Sequence, residues 1–125
     1  MAKRRFGVSL SEEIASWLDK VSRALSTDRS SLVERAVKAM LDDYEHLLSS
    51  HECSGVLLIA CKREPHRGFA RVIEGYRDIT TAHIHAHLEE DCIDLVIVSG
   101  PSEKIMKLHE EIESSECKTR FIHIP

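Results

Sequence analysis

Residues 79–98 read Ile79-Thr80-Thr81-Ala82-His83-Ile84-His85-Ala86-His87-Leu88-Glu89-Glu90-Asp91-Cys92-Ile93-Asp94-Leu95-Val96-Ile97-Val98, and this stretch decides how the second half of the chain folds. Side chains alternate faces along a strand, so His83, His85 and His87 share one side. Leu88 to Asp91 read as a turn, after which Cys92 opens the apolar run Ile93, Leu95, Val96, Ile97 and Val98. The two arms make a hairpin, and Cys92 lies opposite the end of the histidine strand. Imidazole nitrogen with thiolate sulfur suits late first-row divalent metals, and an N,N,S set arranged in a plane suits nickel or copper. The same alternation also fits the solvated face of an ordinary half-buried strand.

Outward from the hairpin, Gly55 to Lys62 is a near-continuous apolar run and reads as a buried strand. Pro65 starts a segment from His66 to Asp78 in which Phe69, Val72, Ile73 and Tyr76 recur at helical spacing. Gly100-Pro101-Ser102 breaks the strand after Val98, and Glu103 to Ser115 is helical through Ile105, Met106, Leu108 and Ile112. Residues 117–124 return to strand with Phe121, Ile122 and Ile124. The order strand, helix, strand, strand, helix, strand is the ferredoxin-like split βαβ arrangement, shared with ligand-sensing ACT domains. The fold class is α+β.

Upstream, residues 4–10 place Phe6, Val8 and Leu10 on one face and Arg5, Gly7 and Ser9 on the other. Ser11 can cap the helix that follows, with Glu12 and Glu13 at its positive end. Ile14, Trp17, Leu18, Val21 and Leu25 form its apolar stripe, and it ends near Ser26. Asp28 caps a second helix carrying Leu32, Val33, Ala36, Val37, Met40, Leu41 and Tyr44. Asp42, Asp43 and Glu45 oppose the dipole at its far end, so that end is expected to fray.

One short strand and two helices make a ribbon-helix-helix pattern. A lone strand leaves its edges unpaired, and the economical solution is an antiparallel ribbon with a second copy of the chain. Dimerisation is therefore part of the fold. A two-stranded ribbon fits the DNA major groove, with Arg5, Gly7 and Ser9 towards the bases and Lys3, Arg4 and Arg5 supplying ribbon and backbone contacts. Arg29, Ser30 and the free amides opening the second helix would meet phosphate. These residues also fit the wet side of a small sheet, and Gly7 brings no side chain for base readout.

The expected domains are residues 1–46, a ribbon-helix-helix module for DNA binding and dimerisation, and residues 55–125, a ferredoxin-like domain for metal sensing and tetramerisation. Residues 47–54 are small and polar and read as the linker. Each half is small enough to be marginal alone, which predicts subunit interfaces. The formal charge of -4 argues against a polycation that coats nucleic acid, although Lys3-Arg4-Arg5 is locally basic. No apolar run approaches the ~18 residues of a membrane span, and no secretion segment follows the basic residues. A cytoplasmic protein without membrane attachment is expected. Cys53, Cys61, Cys92 and Cys117 show neither disulfide-scaffold spacing nor a CxxC pair, so reduced thiols are expected. With no nucleophile elbow, paired acid and base or phosphate-binding glycine loop, a small metalloenzyme is disfavoured and no enzyme is expected.

Arg5-Phe6-Gly7-Val8-Ser9-Leu10, Asp28-Arg29-Ser30, His85-Ala86-His87, Cys92 and Ser99-Gly100, in this order of elements, resemble the nickel-responsive repressors of the NikR family over nearly the whole chain. The resemblance implies a homotetramer, a dimer of dimers with two ribbon-helix-helix pairs flanking a core of ferredoxin-like domains. It also implies one nickel ion per subunit and metal-favoured binding to a palindromic double-stranded DNA operator. In that family two histidines and a cysteine of one subunit are joined by a histidine of a neighbour. By position His85, His87 and Cys92 look like the first three. The donated histidine's place is taken by Glu74, with Tyr76 and Asp78 after it, and a carboxylate is a harder ligand than imidazole. His83 and Tyr76 are the other candidates for the fourth ligand. The match takes the turn after His87 as one residue shorter than usual; an ungapped count puts Ile84 and Ala86 in the ligand slots. A different reading keeps the DNA-binding half and has the ACT-like domain sense a small organic ligand such as an amino acid. A bare ribbon-helix-helix antitoxin fits the first 45 residues but not a folded second half, since toxin-binding tails order on binding.

Overall fold

The computed structural model describes residues 2–5, 7–45, 48–62, 69–113 and 117–124. The chain divides into two compact units, Met1–Ala39 and Met40–Pro125.

The first unit holds helix α1 (Glu12–Ala24) and most of helix α2 (Arg29–Asp43). Both begin where the capping residues place them. The Ser11 hydroxyl accepts from the Ile14 amide at 3.3 Å, and Asp28 Oδ1 accepts from the Ser31 amide at 2.8 Å while Oδ2 accepts from the Ser31 hydroxyl at 3.1 Å. Ser26, in the left-handed region at φ 52°, ends α1, and the Thr27 amide reaches back to the Ser22 carbonyl at 2.9 Å. Residues 2–5 and 7–10 have no strand partner among the described residues, and Phe6 lies outside them. The apolar stripe is largely uncovered: Val8 is 70% and Trp17 60% exposed, with Ile14, Val21, Leu25, Val33 and Val37 also open to solvent.

The second unit is a four-stranded antiparallel sheet with two helices. Its elements are β1 (Glu52–Lys62), α3 (Ala70–Glu74), β2 (Thr80–Leu88), β3 (Asp91–Pro101), α4 (Ser102–Glu113) and β4 (Lys118–His123). The strand order β2-β3-β1-β4 is the ferredoxin-like one, so the α+β class and the βαββαβ order read from the sequence hold. Odd-numbered residues of β1 and even-numbered residues of β3 face the helices. Leu57, Ile59, Val96 and Val98 there join Ile105, Leu108 and Ile112 of α4 and Phe121 of β4 in the core. The other face carries Val56, Leu58, Ile84, Leu95, Ile97 and Ile122, none of them fully buried. A near-continuous apolar run normally marks a strand covered on both sides. Here one side is covered by the chain's own helices.

Several elements depart from the sequence reading. β1 starts at Glu52, inside the segment read as linker, because the Ser102 amide donates to the His51 carbonyl at 2.8 Å and draws the chain into register early. α3 stops at Glu74 and passes through turns to Asp78, with the Gly75 and Tyr76 amides making short bonds to Val72 and Ile73. The expected helix start at residues 66–68 lies outside the described residues. The far end of α2 is held rather than frayed: Asp43 is buried against Arg120 of β4, and the Tyr44 hydroxyl donates to Glu113 at 3.3 Å. Ion pairing with β4 outweighs the unfavourable dipole. The thiols are not all reduced, since Cys61 and Cys117 form a disulfide and Cys53 and Cys92 stay free.

Candidate metal centre and nucleic-acid interface

β2 and β3 meet in a tight hairpin in which Leu88 pairs with Asp91, leaving Glu89 and Glu90 as the turn. Glu89 takes φ 47°, a conformation that β-branched residues avoid. This turn fixes the register: His87 lies opposite Cys92, His85 opposite Asp94 and His83 opposite Val96. Directly opposed residues point to the same face, so the three histidines stand on the side of Cys92 and Asp94. Ile84 and Ala86 fall on the other face, away from the thiol.

The residue that organises this corner is Asp94, which the sequence reading passed over as part of an apolar run. Its side chain is 1% exposed, and Oδ1 accepts from His83 Nε2 at 2.6 Å and from His85 Nδ1 at 2.9 Å. A carboxylate can only accept from these rings in this arrangement, so the His85 proton sits on Nδ1 and its Nε2 lone pair is left outward. That nitrogen stands 3.0 Å from Nε2 of His87, with the two rings edge to face at 83°. Asp94 Oδ2 is buried with no hydrogen-bond partner among the described residues. An acid sharing the parity of Cys92 inside a buried run was the signal that could have revealed this role.

Two imidazole nitrogens bound at right angles to one ion, each at roughly 2.0–2.1 Å, stand about 2.9 Å apart, close to the spacing found here. A carboxylate behind a ligating imidazole is also the usual supporting arrangement. The donor chemistry therefore fits a late divalent metal. Cys92 is buried opposite His87, but its sulfur is not gathered with both imidazoles into one cluster within 4.8 Å. His83 is committed to Asp94 through Nε2, the nitrogen on the shared side. Glu74 is exposed and lies 3.9 Å from Arg77. Burial and the nearby Glu111 charge push the Tyr76 phenol up, so it resists becoming the phenolate a metal prefers. Asp78 is taken by Lys104, whose hydrogen bond holds its carboxyl below the usual range.

At the other end of the chain, Lys3, Arg4, Arg5, Gly7, Ser9, Arg29 and Ser30 are all exposed. Lys3 lies 3.7 Å from Glu34 and Arg29 3.5 Å from Asp19, solvent-exposed pairs that contribute little and that a phosphate would readily displace. Among the described residues nothing beyond the chain neighbours lies within 4 Å of a Cβ placed at Gly7, leaving that part of the arm open to close approach.

Residues 2–45 match a ribbon-helix-helix domain family, and residues 61–116 match the NikR C terminal nickel binding domain. The chain is 31% identical over 117 residues to a Methanosarcina acetivorans protein named as nickel-responsive regulator 2, covering 88% of this chain and 83% of that one. It is 26% identical over 118 residues to a protein named as a nickel-responsive regulator in Dictyoglomus thermophilum, covering 88% and 85%, and 24% identical over 115 residues to one so named in Pyrococcus furiosus, covering 88% and 83%. Together the fold and these matches define a regulator with a ribbon-helix-helix module and a metal-binding sensor domain. The chain belongs to the NikR family of nickel-responsive, DNA-binding transcription regulators, which are not enzymes. No helix among the described residues is long and apolar enough to cross a membrane.

Proposed function

We propose that this chain is a cytoplasmic, nickel-dependent repressor working as a homotetramer, in which His85, His87 and Cys92 hold one nickel ion per subunit. The observation that carries the reading is the 3.0 Å approach of the two outward Nε2 atoms, with His85 set by Asp94. Opposed side chains have Cβ atoms about 4.5–5.5 Å apart, so a rotation of the Cys92 side chain brings its sulfur to the pair. When bound, nickel supplies a rigid link among these donors and one from a neighbouring subunit. Glu74 occupies the family's position for that donor.

The open apolar faces support two interfaces between copies. The uncovered stripe of Val8, Trp17 and Val21 suits a ribbon-helix-helix dimer, and the apolar face of Leu58, Leu95 and Ile97 suits a tetrameric core. Residues 1–46 then dimerise on DNA, and the domain that begins with β1 at Glu52 senses metal and assembles the tetramer. Lys3, Arg4, Arg5, Gly7 and Ser9 enter the major groove of a palindromic operator, and Arg29 and Ser30 meet phosphate. Ordering the sensor core favours one arrangement of the two DNA-binding dimers, and only a difference in metal affinity between arrangements can drive that shift. An electrophoretic shift on the chain's own upstream DNA tests this. Nickel should tighten binding at least tenfold in the wild type and not in His87→Ala. Equal binding with and without nickel would remove the sensing function even if DNA bound.

A further inference from the structure

A second cluster of soft ligands lies at the opposite end of the sheet. His51, Cys53 and His123 each offer one ligand atom, and these atoms lie within 4.8 Å of one another. We propose that these residues form a second metal site, with two imidazoles and one thiolate, for an exchangeable divalent ion of the zinc class. Cys53 pairs with Gly100 and Cys61 with Cys92, which separates this cluster from the histidine hairpin by roughly 26 Å along the strands at about 3.3 Å per residue. The site is independent of the nickel centre.

The sheet register builds it. His51 and Cys53 alternate onto the helix-covered face just ahead of Gly55, and His123 pairs with Gly55 from β4. The backbones carrying the ligands are fixed. The His51 amide donates to the Ser102 hydroxyl at 3.1 Å and its carbonyl accepts from the Ser102 amide at 2.8 Å, while the Ile124 amide donates to the Ser54 carbonyl at 2.9 Å.

Each imidazole is also oriented as a ligand would be. His51 Nδ1 lies 2.7 Å from the Ser49 carbonyl, which can only accept, so the proton is on Nδ1 and the Nε2 lone pair is free. His123 turns Nδ1 towards the Glu45 carboxylate at 3.7 Å, which likewise favours Nε2 as the donor. The rings stand edge to face at 84° with centroids 6.4 Å apart, so they converge without stacking. Cys53 is buried and outside the disulfide, so its sulfur is available as the third ligand atom. Three protein donors with a fourth position open describe an exchangeable centre, and an N,N,S set favours zinc or cobalt over hard cations.

The test uses the full chain carrying Cys92→Ser. Because Cys61 and Cys117 are joined, Cys53 is then the one free thiol among the four cysteines. Cobalt titration should give about one equivalent with a thiolate-to-cobalt charge-transfer band and tetrahedral visible bands, all removed by zinc. Adding His51→Ala or His123→Ala, both at partly exposed positions that leave Cys53 in place, should abolish the band or weaken binding at least a hundredfold. Absence of the band, or its persistence in both histidine variants with native-like circular dichroism, would overturn the assignment.

Discussion

His85 Nδ1 lies 2.9 Å from Oδ1 of Asp94, a carboxylate with 1% of its side chain exposed. The pair converts a strand histidine into an oriented donor, because the buried acid fixes both the tautomer and the ring plane. Replacing Asp94 with Asn removes the charge while keeping the shape. Nickel affinity should fall roughly 10–100-fold, the range typical of lost supporting contacts, as measured by competition with a chelator. Unchanged affinity would mean that His85 is not held by this contact.

Gly55 is set by a neighbour. A side chain at that position would come within 2.4 Å of the Phe121 ring and 2.6 Å of the Ile122 carbonyl, so β4 can close on β1 only with glycine there. Gly55→Ala should lower unfolding stability by about 1–3 kcal/mol through forced repacking, read from the urea midpoint. A midpoint equal to wild type would show that β4 shifts at no cost.

Asp28 gives a proton-linked signature in the DNA-binding unit. The Ser31 backbone amide, and then its hydroxyl, hold the Asp28 carboxyl below its ordinary value of 3.8. A lowered folded-state value means that the cap's contribution is complete above the unfolded pKa and is lost as pH falls through the folded one. The Ser31 amide shift in an NMR titration should therefore turn over below 3.8, and in Asp28→Asn this step should vanish. A midpoint at or above 3.8 contradicts the cap.

The basic arm should show itself in salt dependence. Each of Lys3→Ala, Arg4→Ala and Arg5→Ala should weaken operator binding and reduce the slope of log affinity against log salt by about one. Fluorescence anisotropy over a range of salt concentrations checks this. A slope unchanged in all three would place the arm off the phosphates.

The fold was legible because period and punctuation agreed. Alternation over 79–98, helical spacing through Ile105, Leu108 and Ile112, and the caps at Ser11 and Asp28 each found their element in the structure. What escaped was long-range pairing. Asp43 opposes its own helix dipole locally, yet is held by Arg120 from a strand far along the chain, and Cys61 finds Cys117 at a separation of 56 residues. The histidine strand is read from its alternation, but Asp94 is passed over within an apolar run, and only the register places it opposite His85. His51, Cys53 and His123 carry no shared local pattern, and only the β1 and β4 pairing brings them together.

The central claim is that His85, His87 and Cys92 close on nickel, and near-ultraviolet absorption during a nickel titration tests it most directly. The first equivalent per chain should raise a thiolate-to-nickel charge-transfer band that Cys92→Ser and His85→Ala abolish and Cys53→Ser leaves in place. A first equivalent that binds without the band, or a band that survives Cys92→Ser in a chain that also carries Cys53→Ser, would contradict the account.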